Sequence, residues 1–357
     1  MAKVDKQKLA EYKKHDRAAM DFANNAITKF FERAMAEGFS LDTTGFLQHP
    51  GFFQAPYRRD DLEGVDIAIV GCPLDLGAIG LAGSRHGPKA IREATRNCGP
   101  IHDVTGKIPF EQCSIVEFGD VEWTCASLET RVSENIADTF YDIASKGIAT
   151  MSCGGEHTTT YGVLKGLSRA HDDSFGMIHI DAHCDTMAAW DGDIINIGSV
   201  FRQAVLDGYL DPERVVQIGI RGRSDFLWEF SHDVGMTVIS ADEVFEKGMP
   251  YVIDKAREIV GTEKTYFSLD VDGLDSAYMM GTTGPEPFGL THRQVRDLIL
   301  AVHDLNIIGA DIVEMNPLRD PNGYSAHLAA ALFWELLCLV ADARVAHSEK
   351  TSNTSWA

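Results

Sequence analysis

At 357 residues, 45% hydrophobic and 24% charged, the chain has the composition of a soluble globular protein, long enough for one large α/β domain or two small ones. Its formal net charge of -21 argues against a surface built for nucleic acid or anionic membrane and is compatible with a cationic substrate. No apolar leader core follows Met1, no run of ~18 apolar residues exists, and seven scattered cysteines without CxxC spacing predict free thiols in a reducing cytoplasm.

Residues 8–37 lack Pro and Gly and place Met20, Phe22, Ala23, Ile27, Phe30, Phe31 and Met35 at helical spacing, with Gly38 as the stop. Residues 41–63 read as irregular, broken by Pro50, Gly51 and Pro56. From residue 65 the pattern changes. Apolar runs of strand length (66–71, 113–118, 148–153, 176–180, 215–220, 236–239, 265–269 and 307–313) alternate with helical stretches (89–97, 128–145, 158–171, 200–206, 251–260, 292–305 and 328–343). Alternation of this kind predicts a parallel sheet covered on both faces. Spacing alone leaves two architectures open, a doubly wound α/β/α sandwich and a closed barrel. The chain divides into a helical and irregular extension (1–64), a core domain (65–346) and a polar tail (347–357).

Ligands of such sheets bind at the carboxyl ends of the strands. The third run is followed by Gly154-Gly155-Glu156-His157-Thr158 and the fourth by Asp181-Ala182-His183-Cys184-Asp185. The seventh ends in Asp270 and Asp272, and the eighth in Glu314-Met315-Asn316-Pro317. In an extended strand, residues two apart leave the same face, so Asp270 and Asp272, and likewise residues 181, 183 and 185, are expected to converge. Buried together, such acids require a cation between them. One ion would take His157, Asp181, Asp185 and Asp270; a second would take His183, Asp181, Asp270 and Asp272, with Asp181 and Asp270 shared. Two histidines and four aspartates suit Mn, Ni, Co or Fe. A pair of such ions lowers the pKa of a shared water and provides a hydroxide nucleophile at neutral pH.

The motifs GGEHT, DAHCD, SLDVDGLD followed by GPEPFGLT, and IVEMNP stand in the order and spacing of the ureohydrolases, the arginase and agmatinase family, which the chain resembles over about residues 66–343. Gly83-Ser84-Arg85-His86-Gly87-Pro88 is similar to a further family element. The resemblance implies a three-layer α/β/α sandwich on a central, mostly parallel eight-stranded sheet, and two divalent ions, Ni(2+) or Mn(2+), with the ligand roles above. It implies metal-dependent amidinohydrolase activity on a small cationic guanidino substrate, and a trimer or hexamer. Glu314 matches the family's guanidinium-binding Glu, and Asp272 would hold the attacking hydroxide and pass its proton to the leaving amine.

Three features depart from the family pattern. Ile197 falls where the resemblance expects a histidine, residues 276–284 replace a Pro-rich loop, and the N-terminal helix is long. Tyr278, Met279 and Met280 in that loop, together with Trp190 and Trp123, become candidates for lining the substrate pocket. These departures resemble the divergent branch acting on guanidine or alkylated biguanides such as metformin. The alternatives are a guanidinobutyrase, guanidinopropionase or agmatinase activity, or a non-catalytic subunit stabilising a paralogous partner.

Overall fold

The computed structural model describes residues 5–15, 51–189, 192–222 and 228–352. It contains two units, Met1–Leu47 and Gln48–Ala357. In the first, α1 (Lys6–His15) is capped by Asp5, whose Oδ1 accepts the N–H groups of Gln7 at 2.9 Å and Lys8 at 3.2 Å. The remainder of the helix expected over 8–37 and its stop at Gly38 lie outside the described residues, as does Trp190.

The second unit is built on eight strands: β1 (Ile67–Cys72), β2 (Ile115–Asp120), β3 (Ala149–Gly154), β4 (Phe175–Ile180), β5 (Leu210–Ile220), β6 (Thr237–Ser240), β7 (Thr265–Asp270) and β8 (Ile307–Val313). They form one sheet in the order β2-β1-β3-β8-β7-β4-β5-β6, and every pairing is parallel. β2 and β6 stand at opposite edges, so the sheet is open and the barrel is excluded. β8, the last strand made, lies between β3 and β7.

Parallel neighbours require crossovers, and these are helical. The longer helices of this unit are α2 (Gly87–Ala94), α3 (Ala137–Ala144), α4 (Thr158–His171), α5 (Val200–Leu206), α6 (Ala241–Val260), α7 (His292–Ala301) and α8 (Tyr324–Ser352). The period-2 geometry of a strand sends alternate residues into two separate cores. Ile67 and Ile69 of β1 pack with Ile91, Val252, Val295 and Leu336 from α2, α6, α7 and α8. Ala68 and Val70 pack with Phe140, Leu164 and Phe201 from α3, α4 and α5. The result is a three-layer sandwich. α4 lies against the chain leading into α3 so closely that a Cβ on Gly162 would collide with the carbonyl oxygen of Val132.

Four elements differ from expectation. β5 begins at Leu210, with Pro212 inside its amino-terminal half. α6 starts at Ala241, where Ser240 Oγ accepts the Glu243 N–H at 3.1 Å, and is broken at Gly248 (φ 78°) ahead of Pro250. α8 continues through Ser352, into the segment read as a polar tail. Residues 51–64 belong to the second unit: Phe52 and Phe53 are buried, with ring centroids 5.6 and 5.5 Å from that of Phe333. No helix among the described residues is long and apolar enough to cross a membrane.

Candidate metal centre

The four central strands, β3, β8, β7 and β4, are contiguous, and their register brings their carboxyl ends level. Cys153 pairs with Ile312, Asp270 with Val313, and Ile180 with Leu269. The residues that follow meet at one edge of the sheet, as the strand-end rule requires.

The acids converge by turns, not by strand alternation as expected. β7 ends at Asp270, and the chain enters a 3-10 turn (Val271–Gly273) in which the Asp272 N–H donates to Asp270 Oδ1 at 2.8 Å. After β4 the chain also leaves the extended conformation: the His183 N–H donates to Asp181 Oδ1 at 2.7 Å, and Asp185 adopts φ 51°. Glu314, directly after β8, adopts φ 67°. Left-handed non-glycine residues are costly and gather at functional sites.

His157, buried at the entry to α4, places Nδ1 3.2 Å from Asp181 Oδ2, 3.1 Å from Asp185 Oδ2 and 3.3 Å from Asp270 Oδ2. His183 Nδ1 lies 3.4 Å from Asp181 Oδ1 and 3.3 Å from Asp272 Oδ2. Donors around one ion at ~2.1 Å stand roughly 3.0–3.4 Å apart, so both groupings have the separations of shared-ion ligands.

The hydrogen-bond network fixes which atom of His157 faces the acids. Asp311 accepts from Thr160 Oγ1 (2.7 Å), Tyr266 OH (3.0 Å) and Ser268 Oγ (2.8 Å). With its proton given to Asp311, Ser268 Oγ accepts from His157 Nε2 at 3.0 Å. Nδ1 therefore turns a lone pair toward three carboxylates, and it has no hydrogen-bond partner. A cation is the fitting occupant between these acceptors. Protein groups alone leave the same demand for positive charge. Burial opposes a charged ring, yet Asp181, Asp185 and Asp270 lift the His157 pKa well above its ordinary value. Burial, with Asp272 and Asp181 alongside, pushes the Asp270 carboxyl well up.

Residues that spacing did not single out support this arrangement. His179 Nε2 lies 2.8 Å from Asp181 Oδ2, and its Nδ1 lies 3.0 Å from Gln217 Nε2. His179 stands two positions before Asp181 in β4, so strand alternation could have shown it. Among the described residues, a third His–acid group (His102, Asp103 and Glu335) is close enough to hold an ion, but Arg296 already bridges both of its acids.

A cavity of about 320 Å³ opens beside the acids. Asp185, Asp270, Asp272, Glu286 and Glu314, with His183 among them, give it an acidic side, while Ile79, Met187, Ile197 and Trp228 give it an apolar one. Glu314 Oε1 accepts the His157 N–H at 2.8 Å, and Oε2 is buried without a partner. Burial and the neighbouring Glu156 push the Glu314 carboxyl up to about 8. Ile197 lines the cavity. Tyr278 does not: its ring packs on His292 at 5.2 Å. Met279 is buried in the core and Met280 points to solvent, so of the 276–284 loop only Thr283 and Gly284 reach the cavity. Trp123 packs against Arg131 instead, 5.1 Å from its ring centre. Trp228 and Ile79, which no motif marked, take the wall positions.

An eight-stranded parallel sandwich with this cluster at its carboxyl edge defines a metal-dependent hydrolase of the ureohydrolase class. The chain belongs to the arginase family, whose sequence profile matches residues 65–338. It is 37% identical over 278 residues to the mitochondrial guanidino acid hydrolase of Homo sapiens, covering 77% of this chain and 78% of that protein. It is 36% identical over 285 residues to the guanidinobutyrase of Pseudomonas aeruginosa, covering 78% and 88%. Its fold superposes on a hypothetical agmatinase from Burkholderia thailandensis with a TM-score of 0.76 at 33% identity, over 83% and 92% of the two chains.

Proposed function

We propose that the chain hydrolyses a C–N bond of a small guanidino compound carrying a short substituent, in the manner of a guanidinobutyrase, guanidinopropionase or agmatinase. The observation that carries this reading is Glu314 Oε2, a buried acceptor without a partner on the wall of an acid-lined cavity. A guanidinium placed there donates to Glu314 and restores its charge, and such charge-assisted bonds contribute about 1.5–3 kcal/mol each. Guanidino acid hydrolase and guanidinobutyrase as relatives favour a substituted guanidine over free guanidine or metformin.

His157, Asp181, Asp185 and Asp270 would hold one divalent ion, and His183, Asp181, Asp270 and Asp272 the other. Such a pair supplies Lewis acidity and a water of low pKa. The donor set suits Mn(2+) or Ni(2+). Glu314 orients the guanidino carbon toward the acids. Asp272 is the group we assign to hold the proton and pass it to the leaving amine.

The guanidine or biguanide reading stays as the second one. It is favoured by Ile197, which puts an aliphatic side chain at the cavity, and by the absence of Lys or Arg among the described lining residues. Seven free thiols are compatible with a cytoplasmic location, and a trimer or hexamer is the assembly we propose.

The test is a turnover screen of the purified chain, loaded with Mn or Ni, across guanidine, metformin, agmatine, guanidinobutyrate, guanidinopropionate and arginine. Sedimentation of the same sample gives its assembly. We expect urea or amine release from a substituted guanidine. A folded, metal-loaded chain that turns over none of them overturns the catalytic reading in favour of a stabilising subunit.

A further inference from the structure

The apolar wall of the cavity includes a loop with no strand-end acid. Residues 76–83 (LGAIGLAG) follow β1, and Leu76, Ile79 and Leu81 are 44%, 63% and 49% exposed. An exposed aliphatic side chain on the wall of a cavity offers apolar surface to whatever fills it. Of the three, Ile79 lines the cavity, on the wall shared with Met187, Ile197 and Trp228.

The loop is closed at its neck by Asp75, whose Oδ1 lies 2.6 Å from Arg85 Nε. It is docked on the strand end that carries His157. The Gly155 N–H donates to the Cys72 carbonyl at 2.7 Å and the Glu156 N–H to the Leu74 carbonyl at 2.8 Å. The buried Glu156 side chain then accepts the Gly77 N–H at 2.6 Å through Oε1. That contact is close: a Cβ on Gly77 would lie 2.8 Å from Glu156 Oε2. At the far end Asn316 Nδ2 donates to the Leu81 carbonyl at 3.1 Å. Between these anchors Gly80 turns at φ 101°, with nothing within 4 Å of an added Cβ. Ile79 is thus held at the cavity by two side chains, one beside His157 and the other two positions past Glu314.

We infer that Ile79 determines specificity for the substituent on the guanidino group, and that Glu156 is its positioning residue. The rim takes aliphatic carbon next to the guanidinium, so the substrate class is a guanidine bearing an alkyl or methylene chain. This rests on the hydrolase reading above and adds to it. Apolar pockets discriminate by about 10- to 200-fold per methylene.

The experiment compares n-butylguanidine with unsubstituted guanidine, by kcat/KM and by calorimetric binding to the metal-loaded chain. In Ile79→Ser the preference for butylguanidine falls about tenfold, with the change in KM and not kcat. Glu156→Ala lowers the same preference, and Glu156→Gln, which keeps an oxygen acceptor for the Gly77 N–H, restores it. Gly77→Ala displaces the loop from its own side and reproduces the Glu156→Ala result if that variant folds poorly. An Ile79→Ser enzyme with the original preference overturns this inference alone. A chain that neither binds nor cleaves either guanidine overturns it together with the hydrolase reading.

Discussion

Arg221 holds the backbone of Asp272: its Nη2 donates to the Asp272 carbonyl oxygen at 2.8 Å. The same guanidinium donates to the carbonyls of Gly273 (3.2 Å), Leu274 (3.1 Å), Glu286 (2.9 Å) and Pro287 (2.9 Å). One planar fork therefore fixes both the turn that aims Asp272 and the chain that carries Glu286 to the cavity. Lysine has three donors on a point charge and cannot reproduce that fork. At about 0.5–1.5 kcal/mol per lost bond, Arg221→Lys should destabilise the fold by roughly 2–4 kcal/mol and lower kcat/KM more than tenfold. Denaturant titration and steady-state kinetics read the two effects, and an Arg221→Lys enzyme matching wild type in both refutes the assignment.

The second prediction concerns Ser268. Removing its hydroxyl leaves Asp311 with Thr160 and Tyr266 as donors but frees His157 Nε2 from its acceptor. The tautomer that aims the Nδ1 lone pair at the acids is then no longer imposed. Ser268→Ala should keep the fold and weaken binding of Mn or Ni by about 10- to 100-fold, the usual effect of losing such an outer partner. Equilibrium metal titration checks it, and an unchanged affinity would count against His157 as a ligand.

The third tests packing. A glycine in an exposed helix interior is normally improved by alanine, by roughly 0.5–1 kcal/mol. Gly162 in α4 should show the opposite sign, because its Cβ would meet Val132 O and lie 2.8 Å from Ile136 Cβ. Overpacking of this kind costs about 1–3 kcal/mol. Urea unfolding of Gly162→Ala measures it, and a stabilised variant would show that the two helices separate freely.

A fourth prediction follows from the Arg257–Asp304 pair, with contacts at 2.6 and 2.8 Å. Hydrogen bonds from Arg257 push the Asp304 carboxyl down to about 2. Its unfolded value is about 3.9, so the pair's contribution is present above that pH and disappears as pH falls through the folded value. Asp304 is half exposed, and screened pairs contribute only about 0.2–1 kcal/mol. The stability gap between wild type and Asp304→Asn should therefore be small near neutrality and narrow steadily below about pH 4. A gap that widens on acidification would contradict the linkage.

Much of the fold was legible because each strand contains a short, mostly apolar run set between helical stretches. All eight were found, and α4 and α5 fell at their expected bounds. The amino-terminal half of β5 was missed because Asp211, Pro212, Glu213 and Arg214 carry neither an apolar run nor alternation. The first half of α6 was missed because Gly248 and Pro250 are breakers, and here they join two helical pieces instead of ending one. At the site, the residues expected around the ions lie together, since chemistry restricts which residue types can stand there. The cavity wall was harder to read. The departure of the 276–284 loop from the family pattern suggested Tyr278, but a turn carries that ring away to His292. Ile79 and Trp228 come from loops after β1 and β5 and are not themselves ligand types, so a search for ligand types passes over them.

The position of β8 has a consequence for biosynthesis. A chain emerging amino-terminus first completes seven strands before the one that belongs at the centre of the sheet. Until residues 307–313 are made, β3 and β7 each present an open parallel edge, and such edges invite pairing with other chains. Insertion of that single strand joins the two half-sheets and also brings His157 beside Asp270. Premature termination ahead of Ile307 would therefore leave two adhesive edges and an acid cluster without His157 beside it. Chaperone demand should be greatest while those two edges wait for β8.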